Sequence, residues 1–152
     1  MRLGIFAALA VLAGASAAHA DEDYKWIIDH DSDGASLTYM IPDSDAMDVT
    51  LSCSKKKQMG SYSEIETDSK LDGKKKASVT ISINGKTFKY KGSLTPNEEA
   101  GTPSFDADIP LKDGFWAELK SAKAFDVNIS GFKENHSLKG ADIAGLLKAC
   151  AK

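Results

Sequence analysis

Arginine is almost missing from this chain. Arg2 is the only one, and it stands in a segment that reads as a removable leader. Sites that grip phosphate or carboxylate by a planar fork want arginine, because lysine offers only a point charge. Without Arg2 the chain carries 18 lysines against 22 acids, about −4. A negative chain with no arginine fork is not built for nucleic acid, so that partner class is excluded. Long apolar runs are also scarce. Leu3 to Leu12 form one short run behind Arg2, closed by Ala18-His19-Ala20. That is the pattern of a signal peptide over residues 1–20, too short to span a bilayer. No second run follows, so no transmembrane segment is expected after cleavage. A periplasmic or secreted location is expected, with residues 21–152 as one β-rich domain.

Chemistry-bearing residues are few. Beyond the leader the histidines are His30, in an acidic turn, and His136, in the polar stretch KENHS that reads as a loop. There is no G-x-S-x-G and no H-E-x-x-H, and nothing pairs a nucleophile with a base. The reading is therefore non-enzymatic, with no cofactor. Two cysteines remain, Cys53 and Cys150. In an oxidising compartment an even pair reads as a disulfide. MDVTLSC alternates, which puts Met47, Val49, Leu51 and Cys53 on one face of a strand. Helical spacing in ADIAGLLKAC sets Ile143, Leu146, Leu147 and Cys150 along one stripe. Both cysteines thus belong to apolar faces that should meet in a core.

Alternation dominates from Tyr24 to Leu111. YKWIID and SLTYMI read as strands, the second facing Leu37, Tyr39 and Ile41 inward before Pro42 ends it. GSYSEIET is a weaker strand, because its apolar residues do not keep to one face. In ASVTISINGKTFKYKG the pair Asn84-Gly85 suits a two-residue type I′ turn. That turn sets Ile83 opposite Lys86, Ile81 opposite Phe88 and Val79 opposite Tyr90, with Thr80/Lys89 and Ser78/Lys91 on the other face. SFDADIPL is a further strand. KDGFWAELKSAK has Phe115, Leu119 and Ala122 at helical spacing, with Asp113 placed to cap its start. FDVNIS returns to a strand, and a helix closes the chain. The sum is an α+β, mainly β fold: an antiparallel sandwich or curled sheet with a short helix and a C-terminal helix packed on it.

Three features invite a functional reading. DHDSDG places Asp29, Asp31, Asp33 and Gly34 as in the first half of a calcium loop. Position 12 is Met40, which cannot ligate, and the flanks are strands, so the stretch reads as a turn. The second is a possible partner surface of Lys86, Lys89 and Lys91, read as an outward row, joined by Trp116, which lies off the Phe115/Leu119 stripe. Against a basic patch stands the role of lysine in guarding exposed sheet faces. The third is the loop TPNEEAGTP (95–103), which suits an inhibitor that inserts a loop into the cleft of an envelope-directed enzyme such as lysozyme.

FWAELKSAKAFDVNIS, SLKG (137–140) and ADIAGLLKA together resemble the closing segment of the invasion-associated locus B family of alphaproteobacterial secreted proteins. The resemblance covers residues 115–148. It implies a β-sandwich-like exported protein associated with the envelope and host contact, with no catalytic residues to carry over. The functional expectation is thus an exported binding protein whose partner is a protein or envelope component. The alternatives are the enzyme inhibitor and a hydrolase, the latter requiring a pocket that gathers His30 or His136 with a carboxylate and a hydroxyl.

Overall fold

The computed structural model describes residues 24–151; the leader assigned to residues 1–20 lies outside them. The chain forms β1 (Lys25–His30), β2 (Gly34–Met40), β3 (Met47–Ser54), β4 (Met59–Glu64), β5 (Lys76–Ile83) and β6 (Lys86–Thr95). Then come β7 (Ser104–Pro110), α1 (Gly114–Ser121), β8 (Ala124–Ile129), β9 (Phe132–Ser137) and α2 (Ile143–Ala149). The nine strands make one sheet in the order β1-β2-β3-β4-β7-β6-β5-β8-β9, every pair antiparallel. The sheet curls into a half-barrel. This is the expected mainly β curled sheet with two helices.

The curl follows from strand twist, which accumulates across a sheet of this width. A register shift between β2 and β3 adds to it: Tyr39 pairs with Val49 but Met40 with Met47, which leaves Asp48 as an extra residue on β3. Such a bulge bends a strand and re-aims one side chain. Inward positions alternate as the sequence implies, with Leu37, Val49, Leu51, Ile81, Phe105, Ile109, Val127 and Ile129 all buried. The edge strands β1 and β9 are held to each other by a side chain, Trp26 Nε1 donating to Ser137 O at 2.8 Å.

The β5–β6 hairpin has the predicted register at all five pairs, and Asn84 and Gly85 both adopt positive φ. Helix α1 starts at Asp113, whose carboxylate accepts from Phe115 N. Phe115 and Leu119 face inward as their spacing predicts. Trp116 does not behave as expected. It is only 2% exposed, its ring lies against Gly60, and its Nε1 donates to Pro110 O at 3.1 Å. The helix is buried on two sides, so a residue off the main stripe still enters the core.

Helix α2 packs on β2 and β3 and is stapled there by the Cys53–Cys150 disulfide, which spans 97 residues with a Cα–Cα separation of 6.1 Å. Gly34 permits that approach: a Cβ there would lie 1.9 Å from Cys53 O and 2.9 Å from Cys150 Sγ. Glycine at the end of the acidic turn thus serves the disulfide. Closing a loop of this length stabilises the fold by about 4–5 kcal/mol on the chain-entropy account. Replacing both cysteines by alanine should therefore lower the unfolding free energy by roughly 3–5 kcal/mol in urea titrations. A loss below about 1 kcal/mol would contradict the structural role given to the bond.

Candidate functional site

The half-barrel is helix-covered at the end that holds the disulfide. Toward the other end its interior holds a polar network. Glu64 and His136 are buried at 0% and 4% exposure among otherwise apolar inward residues. Strand β4 turns Gly60, Tyr62 and Glu64 inward, and β9 turns His136 inward beside Phe125, the ring centroids 5.1 Å apart. His136 Nε2 lies 3.1 Å from Glu64 Oε2. Its Nδ1 lies 3.5 Å from Asp48 Oδ2, on a side chain 40% exposed. Tyr62 donates its hydroxyl to the same Glu64 Oε2. Glu64 Oε1 has no hydrogen-bond partner among the described residues. In a regular strand Asp48 would face away from Val49, and the extra residue at the bulge is what lets it meet the ring.

A neutral imidazole has one N–H and one lone pair, so facing two carboxylates would set its lone pair against one of them. The imidazolium donates from both nitrogens. Burial works against its charge, but the hydrogen bonds and charges of Asp48 and Glu64 prevail and raise His136 to about 9. Burial pushes the Glu64 carboxyl up as well, against the pull of His136 and Tyr62. Upward is the direction that stands, because one of its two oxygens is unpartnered. Burial and then the Glu64 charge push the Tyr62 phenol well above its ordinary range, which keeps it a donor. With both ring nitrogens engaged, His136 has no lone pair to serve as a general base.

A second feature lies at the seam. A groove of about 720 Å³ opens there, lined by Tyr24, Trp26 and Tyr39 with Lys25, Ser137 and Lys139 among its walls. The rings cluster at tilted angles: Tyr39 lies 5.3 Å from Tyr24 and 5.3 Å from Trp26, centroid to centroid. All three are half-buried.

The residues singled out from sequence are dispersed. Asp31 Oδ1 accepts from Asp33 N and Gly34 N, at 2.6 and 2.7 Å. Asp33 accepts from Ser54 Oγ and Lys56 N, at 2.7 and 2.9 Å, bonds that hold its carboxyl below the usual range. Asp31 thus closes the β1–β2 turn on itself and Asp33 ties it to the β3–β4 turn, while Asp29 and exposed His30 stand on β1 opposite Ser36 and Ala35. The lysine row divides. Lys89 and Lys91 point outward, but Lys86 shares the parity of Phe88 and Tyr90 and pairs with Glu118 of α1. A residue opposite inward Ile83 cannot belong to the outward face. Trp116, buried, offers no surface. The loop 95–103 is tied back, with Asn97 Nδ2 on Ile65 O at 3.3 Å and Thr67 Oγ1 on Pro103 O at 2.5 Å.

His136 is not in a loop. The strand it occupies was hidden because Phe132 and His136 are its only inward residues of low exposure. The signal that reveals it is Ser130-Gly131, a two-residue turn in which both residues take positive φ and which sets Ile129 opposite Phe132. No family model matches this chain, and neither a curated protein nor a solved structure was found to be similar to it.

The network makes stability depend on pH. His136 has a folded pKa raised from 6.5 to about 9. Its contribution is fully present below about pH 6.5 and is lost as pH rises through 9. Glu64, also raised, acts in the same direction at lower pH. In chelator-containing buffer the unfolding free energy should fall by about 2–3 kcal/mol between pH 6.5 and 9.5. The Asp48→Asn variant should flatten that slope. A curve level over this range would contradict the ion pair.

Proposed function

We infer that this chain is an exported, non-enzymatic binding protein, whose partner is a protein or envelope component engaged at the seam between β1 and β9. The observation that carries this reading is the cluster of Tyr24, Tyr39 and Trp26 in a groove walled by Lys25 and Lys139. Half-buried aromatic rings present a large rigid contact area at little entropic cost, and lysines at the rim steer acidic partners. The disulfide suits an oxidising compartment, and no helix among the described residues is long and apolar enough to cross a membrane. The segment resembling the invasion-associated locus B family includes Ser137, Lys139 and Gly140, which line this groove.

The hydrolase reading has a histidine, carboxylates and a hydroxyl in one place, but the ring nitrogens are both occupied by the carboxylates. The inhibitor reading needs a protruding loop, and 95–103 is bonded back to the body.

Cross-linking of tagged mature protein in native envelope, followed by affinity capture, tests the proposal. One partner should be recovered in near-equal amount. The Lys25→Glu/Lys139→Glu variant should reduce its recovery by about tenfold, a loss of roughly 1.4 kcal/mol. The Lys89→Glu/Lys91→Glu variant should leave recovery unchanged. The reverse pattern would move the interface to the outer sheet face, and recovery of no partner would count against binding as the function.

A further inference from the structure

The interior network sets polar side chains where the rest of the core is apolar. An apolar residue at position 136 would fill the same space beside Phe125, yet the barrel buries a histidine, a glutamate and a tyrosine there. The geometry points to a divalent metal site of zinc type formed by Asp48, Glu64 and His136. One ligating atom from each of the three lies within 4.8 Å of the others. Zinc takes imidazole nitrogen and carboxylate oxygen at about 2.0–2.2 Å, with ligand atoms of a tetrahedron roughly 3.4 Å apart. The widest pair must therefore close by up to about 1.4 Å, and one carboxylate must swing round the ring, since Asp48 faces Nδ1 and Glu64 faces Nε2. Asp48 is the member able to do so, since it stands at the bulge and is 40% exposed.

An independent observation concerns Glu64. Its side chain is 1% exposed, and Oε1 has no hydrogen-bond partner among the described residues. A carboxylate oxygen buried with no donor costs free energy that an added cation would recover. The surroundings suit a bound ion: Tyr62 donates to Glu64 and would orient it, and half-exposed Asp48 gives a route in from solvent. The imidazole nitrogen beside the carboxylates favours zinc over the all-oxygen preference of calcium and magnesium. This site is separate from the seam groove and stands or falls without it.

The test is calorimetric titration of zinc chloride into chelator-stripped, disulfide-intact mature protein, in two buffers of different ionisation enthalpy. The expected result is one equivalent bound with about one proton released at pH 7, and a melting temperature that climbs with zinc concentration. Glu64→Gln and Asp48→Asn should each weaken binding by about tenfold or more. If Glu64→Gln fails to fold by circular dichroism, Asp48→Asn decides, because its side chain is half-exposed and isosteric. Absence of saturable binding by the wild-type protein would overturn the proposal. So would stoichiometric binding unchanged in Asp48→Asn, which would place the ion elsewhere.

Discussion

The arrangement depends on one contact across the barrel interior, the seat of His136 between Asp48 and Glu64. Strand β9 is an edge strand that ladders only to β8. Nothing in the backbone pairing holds it to the far side of the sheet, and a curled sheet can open or close by small changes in twist. His136 reaches across that gap to β3 and β4. One residue later, Ser137 accepts the Trp26 hydrogen bond from β1. Two successive residues of β9 therefore fix the curl, one from inside and one at the rim.

Such a contact is costly to build. Desolvating a carboxylate and an imidazolium consumes much of what their attraction returns, so a buried ion pair adds little net stability over an apolar filling. Removing one partner is another matter, because the remaining charge is then buried alone. The network is better understood as a device that selects one curvature and one strand register. The opposite end of the barrel is fixed by different means, with α1 and α2 covering it, Trp116 seated against Gly60, and the disulfide running past Gly34. The seam groove lies at the end where His136 and Ser137 make these contacts, away from the disulfide.

Local signals were legible in the sequence wherever one rule of geometry decided the outcome. Asn84-Gly85 permits one short turn, and its register follows. Cys53 and Cys150 lie on stripes that had to meet, and Asp113 caps α1 as its position implies. Where the core is not made of apolar side chains the signal weakened, at β4, or failed, at β9. Strand β4 turns a glycine, a tyrosine and a glutamate inward, so it lacks the alternation that marks its neighbours, and β9 does the same with a histidine. Tertiary contacts then decide what propensity cannot. The partners of His136 come from strands 72 and 88 residues earlier in the chain, and no local pattern encodes that meeting. Lys86 and Trp116 were misplaced for a related reason. Trp116 belongs to α1 and Lys86 pairs with its Glu118, so the docking of that helix sets the surroundings of both.

The most direct test of this account is the protonation of His136 by nitrogen-15 and proton NMR of the metal-free protein. Both ring nitrogens should be protonated at pH 7.5, with hydrogen-bonded N–H signals protected from exchange and a titration midpoint near 9. A neutral ring at pH 7.5, titrating at or below the ordinary histidine value, would mean that the carboxylates do not hold it as an imidazolium. The closure of the half-barrel would then need another cause.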